Sequence, residues 1–478
     1  MGRGALSIVP LLLLLIAAAC VPQPGSGPPG LDPRSQRPAL ESEGEIHLYL
    51  QPFPSEAGGL SVSVASIAAI RSDGSLEPLL ESPAELVGAA LVSAQKRLAS
   101  AVVPPGSYGG LSIQIASASV AREQGAIDLL VPLEPVVLQH EFSVARRRAS
   151  ALFLTLGAET MQDVTSRLTP VLYLAEPTRP LTNLLGFATA PARDLVSVFN
   201  KHSMQVVDVV AMRSGPKGAA LDRPRAVAFI ASSGDAAIEI LDAGTRQVLG
   251  HIRLAGGDEP REIALSSDGR TLVSANYGSS SVSIIDTGSR REIVRLPLPS
   301  RPTDVVIDPS RPRAYVVLPQ ASSVSLIDLE RRRLVRTGTL EESPIRGDLS
   351  ADGDTLYLIT DNSPNLLVID AEGLTPTARI WVGRGATSIE VDTRTGFIYV
   401  GRRSGDVVVV DPRALTFIDE FKVGGAPAYL AVDDEQSAIF AVLPDQGLIQ
   451  KLNLVSYRVL GTLEVERGSY ATVIMGER

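Results

Sequence analysis

The chain contains a unit of about 42 residues that recurs seven times through its C-terminal two-thirds, and this repeat limits the fold more than any other feature. Each copy ends in Asp or Asn after a short β-prone run such as VSIID or VVVVD. The closing residues are Asn200, Asp242, Asp286, Asp328, Asp370, Asp411 and Asn453. Their successive spacings are 42, 44, 42, 42, 41 and 42 residues. Such a constant period indicates an array of identical supersecondary units.

Each unit is composed of short β-prone runs separated by turns. In the copy that begins at Pro260, residues 263–265, 272–275 and 282–285 are apolar, and Ser267-Asp268-Gly269 has the composition of a tight turn. A fourth run covers residues 292–298. Four short strands per repeat at this period are typical of a propeller blade. The sequence therefore predicts an all-β fold whose main part is a seven-bladed β-propeller.

The first repeat lacks its innermost strand. Alignment of VSVFN with VSIID places Leu184 to Thr189 on the second strand of a blade, with no first strand before it. At the other end of the chain, Tyr470 to Ile474 follows Gly468 at the spacing of a first strand. We therefore expect the C-terminal strand to close the first blade, because an unclosed ring would leave a strand edge exposed.

The repeats resemble those of a known family. REIALSSDGRTLVSANYGSSSVSIIDTGSRREIVRLPL and PTDVVIDPSRPRAYVVLPQASSVSLIDLERRRLVRTGTL look like the YVTN repeat of bacterial seven-bladed propellers. The resemblance covers about residues 181–478. It implies a propeller fold. It also implies a function like that of the surface-layer and periplasmic binding proteins in the family, most of which have undefined ligands.

The N-terminus has the pattern of an export signal. Arg3 precedes an apolar run from Ala5 to Ala19, and the small-residue site AAAC ends in Cys20, the single cysteine of the chain. The site resembles a bacterial lipobox, which implies acylation of Cys20, attachment to a membrane and, with Val21 after the cysteine, localisation to the outer membrane. An ordinary secretory signal is the alternative. Residues 1–19 are the predicted signal peptide, and the Pro- and Gly-rich residues 20–42 are a predicted tether.

Residues 43–175 are predicted to form a small β-sandwich, and residues 176–478 form the predicted propeller. Alternating apolar residues indicate strands at 46–50, 60–70, 111–115, 127–130, 136–142 and 151–156. Ser82 is positioned to cap a short helix that reaches about Lys96, and residues 104–110 are predicted to be a tight connection. The domain resembles an uncharacterised sandwich family of bacterial lipoproteins. His47 and His140 have no acidic or cysteine companion at ligand spacing, so no metal site is expected there.

The register of the repeats predicts which residues surround the central channel. The repeats open at Pro216, Pro260, Pro302, Pro344, Ala386, Pro427 and Ser469. Two places later come Gly218, Glu262, Asp304, Arg346, Ser388, Tyr429 and Ala471. Four places after each opening residue come Ala220, Ala264, Val306, Asp348, Glu390, Ala431 and Val473. Charged residues are concentrated on consecutive blades, and the candidate hub site consists of Glu262, Asp304, Arg346, Asp348, Glu390 and Tyr429.

Two interpretations of these hub residues are open. In one, the carboxylates around Arg346 form a polar pocket for a cation, a sugar or a peptide. In the other, Asp304, Asp348 and Arg346 pair across neighbouring blades and have only a structural role. Further polar residues are predicted on loops of the same face, where they suit contact with a peptide or glycan: Asn276, Tyr277, Asp361, Asn362, Arg402 and Arg403.

The preferred function is non-catalytic binding or scaffolding of a protein, peptide or glycan at the cell envelope, without a cofactor. The alternative is a metal-dependent hydrolase, similar to propeller lactonases, that holds a divalent cation with Glu262, Asp304, Asp348 and Glu390. The sequence lacks the motifs G-x-S-x-G, H-E-x-x-H and C-x-x-C and has no phosphate-binding loop. A net charge of −9 argues against a nucleic-acid partner.

Overall fold

The N-terminal part of the described chain is a β-sandwich. The computed structural model describes residues 42–123, 125–161, 166–178 and 181–476. The predicted signal peptide, Cys20 and all but the last residue of the predicted tether lie outside the described residues. The described strands up to residue 178 are β1 Gly44–Leu50, β2 Leu60–Arg71, β3 Leu76–Pro78, β4 Ala84–Val87, β5 Lys96–Val103, β6 Gly106–Arg122, β7 Gly125–Leu129, β8 Val136–Val144, β9 Ala149–Leu156 and β10 Leu172–Ala175.

These strands form two sheets that pack face to face. One sheet has the order β10-β9-β1-β5, with β1 and β9 parallel. The other has the order β3-β2-β6-β7, with β4 paired to β2 and β8 paired to β6. Alternate residues of β1 and β2, such as Leu48 and Val64, enter the shared core because side chains along a strand point to opposite faces. Short 3₁₀ turns occur at Ser55–Gly59 and Ala158–Met161.

The structure corrects two predictions in this domain. The helix predicted up to Lys96 is replaced by β4, the single turn α1 Gly88–Leu91 and the start of β5. Pairing of β4 with β2 outweighs the local helical pattern, and a Cβ on Gly88 would lie only 2.1 Å from the Ala57 carbonyl oxygen. The predicted connection at 104–110 is instead largely the start of β6. Gly110 permits this with a φ of 152°, which L side chains rarely adopt.

Seven four-stranded antiparallel sheets follow in the described residues from 181 onwards. We number them as blades 1 to 7 and give each from its inner to its outer strand. Blade 1 is β38 Thr472–Ile474, β11 Leu185–Ala190, β12 Leu195–Asn200 and β13 Gln205–Ala211; blade 2 is β14 Pro216–Asp222, β15 Val227–Ser232, β16 Ala237–Asp242 and β17 Val248–Arg253; blade 3 is β18 Pro260–Leu265, β19 Thr271–Asn276, β20 Ser281–Asp286 and β21 Arg291–Pro297.

The remaining blades repeat this arrangement. Blade 4 is β22 Asp304–Ile307, β23 Arg313–Leu318, β24 Ser323–Asp328 and β25 Arg333–Thr339; blade 5 is β26 Pro344–Leu349, β27 Thr355–Thr360, β28 Asn365–Asp370 and β29 Thr375–Trp381; blade 6 is β30 Ala386–Val391, β31 Ile398–Arg402, β32 Asp406–Asp411 and β33 Thr416–Lys422; blade 7 is β34 Tyr429–Asp433, β35 Ala438–Leu443, β36 Leu448–Asn453 and β37 Val459–Glu464. One-turn 3₁₀ segments lie at Thr182–Leu184 and Pro319–Ala321. None of the described helices is long and apolar enough to cross a bilayer.

The C-terminal strand closes the ring, as predicted. β38 pairs antiparallel with β11, so that Phe187 lies opposite Val473 and Ala188 opposite Thr472. The inner strand of blade 1 therefore comes from the end of the chain, and its other three strands come from the start of the repeat region. This arrangement confirms a seven-bladed β-propeller with a shared first blade, preceded by a β-sandwich.

The middle strands of each blade are buried on both faces. Strands such as β19 and β20 carry near-continuous apolar and small residues that pack against the neighbouring blades. Outer strands such as β25 are mostly exposed. Burial of both faces explains why the middle strands have continuous apolar runs rather than strict alternation.

The sandwich packs against blades 1 and 7. Tyr49 and Phe153 belong to the same hydrophobic cluster as Phe199 and Leu463 of the propeller. The Gln95 side chain accepts a hydrogen bond from the Val206 N–H at 2.8 Å and donates one to the Val206 carbonyl at 3.0 Å. These bonds cover part of the edge of β13, which would otherwise present unpaired main-chain groups.

Candidate functional site

The candidate site lies where the seven inner strands surround the central channel. We call the face at which these strands begin the upper face and the face at which they end the lower face. The residues three places after the opening residues are mostly apolar and pack between blades, and Ile263, Val305 and Leu430 among them are buried. The residues on either side of them in the strands supply the polar groups of the channel.

Arg346 spans the channel from blade 5. Its Nη2 lies 2.7 Å from the Glu262 Oε1 of blade 3, and its Cζ lies 5.0 Å from the centre of the Tyr429 ring of blade 7. Its Nη1 also donates to the Ala428 carbonyl at 3.4 Å. The Arg346 and Glu262 side chains are only 15% and 7% exposed. The three side chains therefore form a bar across the channel, which we call the Glu262–Arg346 bar.

The other three carboxylates bind main-chain groups of the next blade. Asp304 Oδ2 accepts a hydrogen bond from the Gly347 N–H at 2.9 Å, and Asp348 Oδ2 accepts one from the Val391 N–H at 2.8 Å. Glu390 Oε1 accepts one from the Val432 N–H at 3.2 Å. These contacts satisfy inner-strand N–H groups that have no neighbouring strand on the channel side.

The expected pairing of Arg346 with Asp304 and Asp348 is therefore wrong. Arg346 pairs instead with Glu262, two blades away across the channel. Asp304, Asp348 and Glu390 form no ion pair with any described Lys, Arg or His. The hub consequently has more buried carboxyl groups than paired cations.

Burial changes the protonation of these carboxyl groups. Burial raises the pKa of Glu262 to about 7, although the Arg346 guanidinium opposes the shift. Burial likewise raises the pKa of Asp348 to about 7, against the hydrogen bonds from Val391 and Leu349. The pKa of Glu390 rises well above its usual value because of burial and the nearby Asp348. These groups bind a proton more readily than free carboxylates do.

A cavity of about 320 Å³ opens below the Glu262–Arg346 bar, and we call it the lower pocket. Of the six predicted hub residues, Glu390 and Tyr429 line it. Ala431 of blade 7 also lines it, and its side chain is small. The remaining lining residues are Leu221, Asp222, Arg223, Pro224, Leu265, Ser266, Ser267, Gly269, Val432, Thr472, Val473 and Ile474.

Sequence reasoning missed the rim of this pocket. Four of its residues lie at the ends of the inner strands of blades 2 and 3, beyond the predicted ring positions: Asp222, Arg223, Ser266 and Ser267. The register does contain a signal for them. Asp222 and Ser266 both stand six places after their opening prolines, at equivalent positions of two consecutive repeats.

The predicted loop residues have diverse roles. Asn276 is fully buried and donates from Nδ2 to the Ser281 and Ser283 hydroxyls, so its prediction as a surface contact is wrong. Arg402 pairs with Asp406 at 2.6 Å, and Arg403 pairs with Asp361 at 3.2 Å. The other two residues, Tyr277 and Asn362, are half-buried and exposed, respectively.

The described residues contain no group of three or more His, Cys, Asp or Glu side chains that could hold a metal ion. The four carboxylates proposed for a hydrolase metal do not meet in a ligand set. Glu262 pairs with the Arg346 side chain, and the other three each accept a hydrogen bond from a main-chain N–H of the next blade. His47 is fully buried at the contact with the propeller, where burial lowers its pKa. His202 lies in the turn before an outer strand, and His251 lies within one.

Comparisons with known proteins support the fold. No protein-family model matches the chain. The uncharacterised protein YncE of Salmonella typhimurium strain LT2 and its counterpart in Salmonella typhi are each 30% identical to it over 144 residues. The match spans 30% of this chain and 40% of each relative, which is well under two thirds of their length.

Similar solved structures include the following two. A functionally unknown protein from Desulfotomaculum acetoxidans DSM 771 aligns with 62% of this chain and 99% of its own, at 12% identity and a TM-score of 0.56. Hydrazine synthase from Kuenenia stuttgartiensis aligns with 52% of this chain and 86% of its own, at 18% identity and a TM-score of 0.47. At such identities, the first similarity is evidence of fold alone.

Proposed function

We propose that this protein is a non-catalytic binding propeller of the cell envelope, whose ligand is a protein, peptide or glycan held in the lower pocket. The observation that carries the proposal is the cavity of about 320 Å³ lined by Glu390 and Tyr429. A concave site with a few polar groups among apolar ones is typical of ligand binding. The YVTN-like repeats are consistent with such a role.

The charge of the hub favours a ligand that carries a protonated amine. Glu390 and the neighbouring Asp348 have no paired cation among the described residues, and Arg346 is occupied by Glu262. An ammonium group beside Glu390 would stabilise the charged form of this carboxyl group, whose pKa is raised by burial and by Asp348, and Ala431 would face the apolar part of the ligand. A lysine side chain and an amino sugar both have this chemistry.

The test is calorimetric titration of the full-length protein in non-ionic detergent. The probes are pentalysine, a glucosamine tetramer and the N-acetylated form of that tetramer. We expect one of the two amines to bind saturably and the acetylated glycan to bind at least tenfold more weakly. Glu390→Gln removes one carboxyl group from the pocket, and Ala431→Leu fills part of it, so each should weaken binding about tenfold.

Glu330→Gln is the matched control, because Glu330 is an exposed turn residue of the same charge. It should leave affinity within twofold of the unchanged protein. Equal affinity of the Glu390→Gln, Ala431→Leu and Glu330→Gln variants would contradict a role for the lower pocket. Binding of pentalysine but not of the glucosamine tetramer would assign a peptide ligand, and the reverse would assign a glycan.

The proposal includes attachment to a membrane through an acylated Cys20. The support is the lipobox-like sequence AAAC after an apolar run. Replacement of Cys20 by Ser should move the protein from the membrane fraction to the soluble fraction. Continued retention in the membrane fraction would count against acylation at this residue.

A further inference from the structure

Three basic side chains lie together at the upper face, on the opposite side of the Glu262–Arg346 bar from the lower pocket. Lys217 and Arg261 directly follow the opening prolines of blades 2 and 3, and Arg301 directly precedes the opening proline of blade 4. Lys217 and Arg261 are half-buried, whereas Arg301 is exposed. We call these three residues the basic mouth.

Two of the side chains come from irregular points in the inner strands. The pairing of β14 with β15 shifts register between Pro216 and Ala219, and the pairing of β18 with β19 shifts between Pro260 and Glu262. Such bulges re-aim a side chain relative to regular alternation. The bulge of blade 2 is also tied to blade 1, because the Thr189 hydroxyl donates to the Lys217 carbonyl at 2.7 Å.

Two tyrosines hold the guanidinium groups in place. The Cζ atoms of Arg261 and Arg301 lie 5.3 and 5.2 Å from the centre of the Tyr277 ring. The Nε of Arg261 also donates to the Tyr470 hydroxyl at 3.3 Å. Contact with an aromatic ring orients a cation without neutralising its charge. The two guanidinium groups are therefore positioned around one ring and keep most of their donors free.

The basic mouth has no ion-pair partner in the described part of the chain. Two other arginines in the same blades are paired: Arg295 contacts both Asp258 and Glu292, and Arg225 contacts Asp222. By contrast, none of Lys217, Arg261 and Arg301 lies within 4.0 Å of a described carboxylate. Burial and the charge of Arg261 lower the pKa of Lys217, with Glu259 and Glu262 opposing the shift. An anion from solution would relieve this like-charge contact.

We propose that the basic mouth binds a phosphate group. Lysine and arginine side chains only donate hydrogen bonds, so the mouth presents donors from three blades, and the one acceptor shown to contact them is the Tyr470 hydroxyl. A phosphate offers several acceptor oxygens and up to two negative charges, which suits cations contributed by three neighbouring blades better than a single carboxylate does. This site is separate from the lower pocket and does not depend on the function proposed for it.

The experiment is calorimetric titration of the full-length protein with inorganic phosphate and, in a second arm, with glycerol 3-phosphate, at fixed ionic strength in chloride buffer. Glycerol is the neutral control probe. We expect saturable binding of one phosphate compound per protein and none of glycerol. Arg301→Gln, Arg261→Gln and Lys217→Met should each weaken binding about tenfold. Equal affinity in the two arms identifies the free anion as sufficient, and preference for glycerol 3-phosphate identifies a phosphate ester.

Two variants serve as controls. Arg333→Gln removes one exposed guanidinium at the start of an outer strand and should leave the affinity within twofold. Glu390→Gln alters the lower pocket and should also leave phosphate binding unchanged, which separates the two sites. Arg301 is exposed, so the Arg301→Gln variant keeps its fold, as its melting temperature will verify. Absence of saturable heat with both phosphate compounds, or equal binding by Arg301→Gln and Arg333→Gln, would overturn the proposal.

Discussion

The two ends of the channel are built from the same seven inner strands but have opposite chemistry. At the upper face, Lys217 and Arg261 project from bulges and have no acidic partner within ion-pair distance among the described residues. At the lower face, the straight part of the strands presents Glu390 to a cavity, and its neighbour Asp348 is also without a paired cation. The Glu262–Arg346 bar lies between them. The repeat thus determines the scaffold, including a bulge that recurs after the opening residue in blades 2, 3, 5 and 6, and the side chains that differ between blades determine the two sites.

The largest expected effect on stability comes from removing the carboxylate of the Glu262–Arg346 bar. Glu262→Leu leaves the Arg346 guanidinium buried and unpaired, and arginine does not lose its proton. We expect a loss of about 3–5 kcal/mol in the free energy of unfolding. Arg346→Met should cost less, because Glu262 can then take up a proton, as its pKa of about 7 indicates. Urea unfolding at pH 7 measures both losses, and an equal or larger loss for Arg346→Met would contradict this asymmetry.

The second effect concerns the pH dependence of the acidic end. The pKa of Asp348 is about 7 in the folded protein and near 3.8 in the unfolded chain. The folded state therefore binds more protons between these values, and its stability should fall as pH rises from about 4 to 7. The fall contributed by Asp348 is about 2–4 kcal/mol. Asp348→Asn should flatten the curve of unfolding free energy against pH, and parallel curves for the two proteins would show that Asp348 is not responsible.

The comparison of the two ends also shows what the sequence can predict. The period and the final strand from Tyr470 predicted the number of blades and the closure, because these depend on local patterns that repeat. The register also placed Glu262 and Arg346 at the channel. It did not predict that they pair, because contact across the channel depends on the diameter of the ring and on side-chain reach.

Other features of the structure could not be predicted from the sequence, for different physical reasons. The bulges at Lys217 and Arg261 cannot be recognised from the spacing of the sequence. The direction of these two side chains toward the upper face therefore could not be predicted. The lower pocket is the space that remains between the blades, and the small side chain of Ala431 helps to leave that space open. The helix predicted up to Lys96 failed because pairing of β4 with β2 is a long-range interaction that local propensity does not register.

The third effect is steric and concerns the Glu262–Arg346 bar and the upper face. Gly218 stands where a Cβ would lie 2.5 Å from Glu262 Oε2 and 2.8 Å from the Arg261 carbonyl oxygen. Gly218→Ala should therefore displace both the bar and one residue of the basic mouth, at a cost of about 1–3 kcal/mol. Gly256→Ala is the control, since its Cβ would meet nothing within 4 Å. Thermal unfolding should separate the two variants, and equal melting temperatures would show that the site tolerates a methyl group.

The smallest effect is expected at the basic mouth without a ligand. Lys217→Met removes a half-buried cation whose pKa is lowered by burial and by Arg261, so the unliganded protein should become slightly more stable, by less than about 1 kcal/mol. The gain should shrink at high salt, because added ions screen the repulsion from Arg261.

In phosphate buffer the sign of the stability difference should reverse, since only the unchanged protein gains stability from a bound anion. Melting temperatures of both proteins in low-salt, high-salt and phosphate buffers of equal pH test this reversal. A constant difference in melting temperature across the three buffers would mean that Lys217 contributes only packing at the upper face. It would also mean that the two ends of the channel do not favour ligands of different charge.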